Sequence, residues 1–226
     1  MKRLILKIRK AIWVFAIIVL LSIFIRIAIG EPCYIPSASM EPTIMTGDWL
    51  WINKSTYGGR LPERWADIPL INIFTHITAL RQADENNNWG YHRLPGFKKP
   101  AAGDVIVFNN PEKEETLLVK RIVTMLYKGD TIVLREDNFV DKVYKEKEQY
   151  IIRKENESVD SIKCYILTQN HYYVIGDNFG NSRDSRFFGY VPEQSVIGKI
   201  NRGIISVEST DDGLKFRSGR VFYKID

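Results

Sequence analysis

Two serines, Ser37 and Ser39, stand two positions apart between two prolines in IPSASMEPT, residues 35–43. A serine hydroxyl becomes a nucleophile when a base takes its proton, and the usual base is histidine. The chain holds three histidines, His76, His92 and His171. The first two lie in an inserted excursion, residues 58–100, in no recognisable catalytic setting, and the third begins an apolar run beside Asn170; these settings fit surface or half-buried side chains better than a base. A lysine can serve instead if it is neutral, and neutrality requires desolvation. Lys120, in LLVKRIV, is the candidate. Alternate side chains of a strand share a face, so Lys120 lies with Leu118 and Ile122, while Arg121 points the other way with Val119 and Val123. An ammonium between two aliphatic side chains loses hydration and its pKa falls. Two ordinary readings compete: a Ser/Pro turn with no chemistry, and an exposed lysine that blunts a sheet edge.

The elements that must position these residues read as mainly β. After Glu31, short apolar-alternating runs are separated by turn residues, with little sustained helical periodicity. Strands are predicted at 48–54, 104–108, 116–123, 130–136, 163–167 and 172–176, with two more around Ile204 and Val221. Turns at Gly129-Asp130 and Asp212-Gly213 divide them. A coiled, multi-stranded antiparallel domain over residues 31–226 follows. Residues 58–100 read as an inserted excursion, and residues 136–160, dense in Lys and Glu, as a solvated hairpin or loop.

Ahead of the domain, residues 11–29 (AIWVFAIIVLLSIFIRIAI) have only Ser22 and Arg26 as clearly polar side chains. About 20 helical residues span a hydrocarbon core of about 30 Å, and Arg26, near the far end, can snorkel to the headgroups. The alternative is a cleaved secretory signal ending at Ala28-Ile29-Gly30, but the apolar run exceeds the middle region of such signals. A retained single span is therefore expected, with basic residues 1–10 in the cytoplasm and everything beyond Gly30 outside. The formal charge of +5 is matched by Lys2, Arg3, Lys7, Arg9 and Lys10. The remainder balances, so the charge is no argument for nucleic acid. Cys33 and Cys164, the only two cysteines, would sit in a compartment that permits a disulfide, although sequence cannot bring them together.

In chain order, IPSASMEPT, GDWLWINK, GDVIVF, VKRIV and GDNFGNSRDSRFFGYVP resemble the successive motifs of the bacterial type I signal peptidases, membrane-bound serine-lysine endopeptidases. The resemblance covers residues 34–54, about 103–130 and 173–200, behind an N-terminal anchor such as the family has. It implies a coiled antiparallel β fold of the signal-peptidase and SOS-repressor protease type. It makes Ser39 the nucleophile, Lys120 its general base, and Ser37 a hydroxyl that joins the Ser39 backbone N–H as the oxyanion hole. Ser182 matches the serine that hydrogen-bonds the lysine amine. Asp184 and Arg186 match a structural ion pair, with Asp177 near the arginine side of that network and Arg121 supporting the site.

By the same resemblance no metal or cofactor is needed. The substrates are signal-peptide-bearing precursors, bound extended and cut after small residues in an Ala-x-Ala pattern, by a monomer in contact with membrane lipids in the inner (cell) membrane. Three departures stand out: Ala102 before Gly103-Asp104 where the family usually has arginine, the longer TMLYKGD turn after Arg121, which lacks the family's proline, and residues 58–100, to which the resemblance assigns no specific counterpart. Two rival functions share the fold logic, a self-cleaving serine-lysine protease of the SOS-repressor kind and a noncatalytic membrane-anchored binding module. The short path from Gly30 to Ser39 keeps the nucleophile close to the membrane surface. Trp49 and Trp51, on one strand face, fit either the lipid interface or core packing.

Overall fold

The computed structural model describes residues 2–68, 84, 87–111, 113–134, 140–142, 144–146, 149–151, 163–210 and 213–225. The apolar N-terminal run forms helix α1, Lys2–Phe24, which continues into a π-helical stretch, Ile25–Ile29. Its apolar window, Leu6–Ile29, has a mean hydropathy of 2.8 and buries none of its residues against the rest of the chain. A helix pairs its backbone polar groups internally, as a hydrocarbon environment demands. The helix thus starts nearer the N-terminus than the apolar stretch alone suggests.

Thirteen strands follow among the described residues: β1 (Gly30–Tyr34), β2 (Asp48–Asn53), β3 (Val105–Asn110), β4 (Lys113–Leu126), β5 (Thr131–Leu134), β6 (Val140–Lys142), β7 (Tyr144–Glu146), β8 (Gln149–Ile151), β9 (Lys163–Ile166), β10 (His171–Ile175), β11 (Val191–Pro192), β12 (Val196–Thr210) and β13 (Gly213–Phe216). The main sheet is antiparallel and open, in the order β1-β2-β12-β3-β4-β10-β11, with β13 added to β12. Strands β6-β5-β9 make a second small sheet, and β7-β8 a hairpin within the region expected to be hairpin or loop. A one-turn helix, α2 (Ser185–Phe188), precedes β11. The mainly antiparallel β class expected from the sequence is what the chain adopts.

Both faces of the sheet are buried, and β3 shows why. Its residues Val105, Ile106, Val107 and Phe108 are all buried. Val105 and Val107 join one core with Ile35, Met40, Ile44, Leu50 and Ile52, while Ile106 and Phe108 join a second with Ile122, Tyr172 and Val174. A short continuous apolar run is the pattern of such a two-sided strand. Long β12 serves several neighbours because its register shifts at two places against β2, between Ile200/Arg202 and Gly203/Ile205. Such bulges bend a strand and increase its twist.

Three turns share one device. Gly47, Gly103 and Gly129 hold φ of 92°, 91° and 93°, the conformation glycine supplies at the third position of a turn. Each is followed by an aspartate whose carboxylate accepts the N–H three residues back: Asp48 from Met45, Asp104 from Ala101, Asp130 from Tyr127.

One strand expectation fails. Val221 lies in a bend, and the second C-terminal strand is β13 instead. The polar side chains around Val221 are engaged elsewhere, Arg220 and Tyr223 both reaching the buried carboxylate of Asp48. Phe222, with φ of 48°, is not extended. The described ends of the excursion form two facing legs, with Leu61 N donating to His92 O and Leu94 N to Gly59 O. His76, most of residues 68–80 and Glu136 lie outside the described residues. Cys33 is a free thiol. Trp49 is exposed against Tyr34, on the side of β2 opposite Leu50 and Ile52, so core packing is not what holds it.

Candidate active site

The loop 35–47 between β1 and β2 carries both serines, and its neck is closed by backbone bonds from Ile35 N to Asp48 O and from Gly47 N to Ile35 O. Met40 and Ile44 are fully buried and plug the loop into the core. Glu41 accepts from the N–H and hydroxyl of Thr46. On the far side, Asp48 is wholly buried and takes Arg220 at 2.6 Å, and Arg220 also donates to Thr43 O at 3.0 Å. Burial pushes the Asp48 carboxyl up, but hydrogen bonds from Arg220, Ser206 and Tyr223 bring it below the ordinary carboxylate value. The C-terminal tail thus braces the loop from beneath.

Lys120 projects from β4, opposite Ile106 of β3 and on the same strand face as Ile122. It is only 2% exposed, so the edge-lysine reading does not hold. Its Nζ lies 2.7 Å from Ser39 Oγ. Among the described residues no carboxylate ion-pairs with it. Burial pushes its pKa down to about 8, against the opposing pull of the more distant Asp184 and Asp177. A buried amine with a lowered pKa beside a hydroxyl can accept that hydroxyl's proton.

Ser37 Oγ stands 3.5 Å from Ser39 Oγ, exposed at the mouth of the loop. The loop after β10 holds the backbone around Ser39: Asn178 N donates to Ser39 O at 3.1 Å, and Asn178 Nδ2 to Ala38 O at 3.0 Å. Gly176, just before it, has no room for a side chain; a Cβ there would lie 2.1 Å from Ser182 Oγ and 2.4 Å from Ser39 O.

The supporting charges divide differently from expectation. Asp184 and Arg186 do pair, at 2.8 Å, and Gly176 N also donates to Asp184. Burial raises the Asp184 carboxyl, but these bonds hold it down at about 2. Asp177 belongs to a separate pair. It faces Arg121, which grips it through two bonds of 2.8 and 2.7 Å and reaches Gly103 O as well. Arg121 is on the strand face opposite Lys120, so Asp177 is drawn there rather than to the Asp184–Arg186 pair. The expected bond from Ser182 to the lysine amine is not formed. Ser182 Oγ is buried under Gly176 with no well-formed hydrogen bond, near enough to Asp184 to favour its ionised form. His92 and His171 bond the nearby carbonyls of Gly90 and Gln169 and take no part in this cluster.

Sequence reasoning passed over Gly176 and Asn178 although both lie in the GDN segment, where a glycine followed by two turn-forming polar residues marks close backbone approach. Arg220 and Tyr223 carried no local signal at all.

A sequence model of the family described as "Signal peptidase, peptidase S26" matches residues 8–204. Signal peptidase I of Aquifex aeolicus is 30% identical over 211 residues, covering 84% of this chain and 82% of that protein. Signal peptidase I of Pseudomonas aeruginosa is 28% identical, covering 77% of this chain, which spans 64% of that longer relative. Signal peptidase I of Buchnera aphidicola from Acyrthosiphon pisum is 26% identical over 86% of this chain and 74% of its own length.

Proposed function

Because the chain belongs to the signal peptidase family, peptidase S26, we propose that Ser39 and Lys120 are the dyad with which it cuts signal peptides from exported precursors. Membership makes it a membrane-associated serine endopeptidase. The observation that carries the dyad is the 2.7 Å contact between Ser39 Oγ and the buried amine of Lys120.

In this reading the neutral Lys120 amine takes the Ser39 proton as Oγ attacks the scissile carbonyl carbon. The resulting oxyanion is held by the Ser39 N–H and the Ser37 hydroxyl, donors fixed where negative charge develops. The Lys120 ammonium then protonates the leaving amine, and the carbon–nitrogen bond breaks to leave an ester on Ser39. Water, deprotonated by Lys120, hydrolyses that ester and restores the enzyme. Ser182 and Gly176 form the floor behind the nucleophile, and the Arg121–Asp177 and Asp184–Arg186 pairs fix the strands and loop that carry it. Small residues before the cut, in the Ala-x-Ala pattern, fit an extended substrate laid beside loop 35–47. The helix crosses the bilayer once, with its basic end in the cytoplasm.

The test is cleavage of a purified Ala-x-Ala precursor in lipid micelles by wild type, Ser39→Ala and Lys120→Ala, the cut located by mass spectrometry. Wild type cuts after the small residue, and each substitution lowers the rate by about 10³-fold or more. Equal rates in all three proteins would refute the dyad. A folded wild type that binds the precursor without cutting it would make the chain a noncatalytic binding module.

A further inference from the structure

The helix joins the sheet without a linker. Gly30 follows the last π-helical residue and already pairs with Asn53 of β2. A helix leaves its final carbonyls unpaired, and here residues just beyond β2 take them. Arg26 O accepts from Lys54 Nζ at 2.9 Å, and Ile29 O accepts from the backbone N–H groups of Lys54 and Ser55 at 2.9 and 3.3 Å. A cation at this position also complements the helix dipole. The Lys54 ammonium pairs with Glu31 at 2.8 Å, and the other Glu31 oxygen takes Arg26 Nε at 2.7 Å. One carboxylate therefore bridges the last helical turn and the end of β2.

Burial would raise the Glu31 carboxyl, but Lys54 and Arg26 hold it below the ordinary value. On the other flank Gly59 lies so close that a Cβ would stand 2.5 Å from Ile27 O. Beside these contacts is a cleft of about 320 Å³ lined in part by Arg26, Glu31, Lys54, Arg60 and Ile197. The helix end is thus held at a few defined points and not by broad packing.

We propose that the Lys54–Glu31–Arg26 clamp is a ruler that fixes the height of Ser39 above the bilayer and so selects which bond of a membrane-held precursor is cut. The inference rests on the signal-peptidase reading and assigns part of its specificity to residues outside the catalytic cluster. The precursor's apolar segment lies in the same bilayer as α1. The bond that meets Ser39 is then set by the length of chain between that segment and the cut. Nine residues lead from Gly30 to Ser39, at most about 30 Å when extended, and the first five are locked into β1. A rigid junction makes this distance constant; a loose one would let Ser39 sample several heights.

The experiment uses the full chain in lipid vesicles and precursors with progressively longer spacers between apolar segment and Ala-x-Ala site. Wild type is compared with Glu31→Gln, Lys54→Met and a short Gly-Ser insertion between Ile29 and Gly30. A short soluble Ala-x-Ala peptide, which no bilayer positions, reports folding and chemistry in every variant. Wild type shows one preferred spacing, with about a tenfold fall on moving a few residues either side, and the variants flatten this to about threefold with unchanged peptide hydrolysis. Variants that keep the wild-type spacing profile, or a wild type with no preference, would overturn the ruler while leaving the signal-peptidase reading intact. Failure of wild type to hydrolyse either substrate would overturn that reading and the ruler with it.

Discussion

Lys54 and Lys120 close two contacts of the same fold with opposite partner sets. Lys54, at the helix exit, meets the Glu31 carboxylate and the Arg26 carbonyl. Lys120, beside Ser39, is more deeply buried and, among the described residues, its amine meets only the Ser39 hydroxyl at hydrogen-bonding distance. An ammonium beside a carboxylate is stabilised as a charge, and it can clamp. An ammonium buried without such a partner loses hydration and gains little, so its proton is easily given up. On the proposed reading, partners, more than burial alone, separate a structural lysine from a base. The neighbouring acids bear this out: Asp177 and Asp184 are each occupied by an arginine, Arg121 and Arg186, and are thereby kept from Lys120.

The largest effect comes from erasing the difference. Lys120→Arg installs a cation that cannot deprotonate in a protein, and precursor cleavage should fall by about 10³-fold or more. Near-wild-type turnover in a folded Lys120→Arg protein would break the comparison at once. Next is Gly176→Ala. Its methyl would collide with Ser182 Oγ and Ser39 O and shift Ser39 relative to the Lys120 amine. A displacement of about 1 Å costs about 10²-fold in rate, measurable as kcat on a short peptide. The smallest effect belongs to the clamp kind of contact. Arg220→Ala leaves the buried Asp48 with its remaining donors but without its counter-ion, and thermal or denaturant unfolding should report a loss of about 2 kcal/mol. No change in stability would show that Asp48 does not depend on its arginine.

Much of this was legible in the sequence, and the reasons are local. The period-two pattern around Lys120 placed it with Ile122 and apart from Arg121, because strand alternation depends on adjacent residues only. The continuous apolar run in β3 and the glycine-aspartate turns are equally local. The resemblance supplied the pairing of residue 39 with residue 120, which no spacing rule could. What escaped depends on contacts remote in the chain. Arg220 and Tyr223 converge on Asp48 from the C-terminal tail, and this recruitment is why no strand forms around Val221. Asp177 is the middle residue of GDN, between Gly176 and Asn178, yet its partner is Arg121 on β4, a choice made by the packing of β4 against β10. The orientation of Ser182, buried beneath Gly176, is likewise a matter of backbone approach.

The central claim is that Lys120 works as a neutral base, and the pH dependence of kcat/KM on a short Ala-x-Ala peptide tests it most directly. Lys120 is protonated below its folded pKa of about 8, and protonation removes the base. The logarithm of the rate should therefore rise with a slope of one as pH increases toward 8 and level off above it. The titration should match that of the Lys120 amine followed by NMR in the Ser39→Ala protein, allowing for the small change that substitution makes at the contact. A rate that stays flat from about pH 6 to pH 9, in a protein that remains folded throughout, would contradict the assignment of Lys120 as the base.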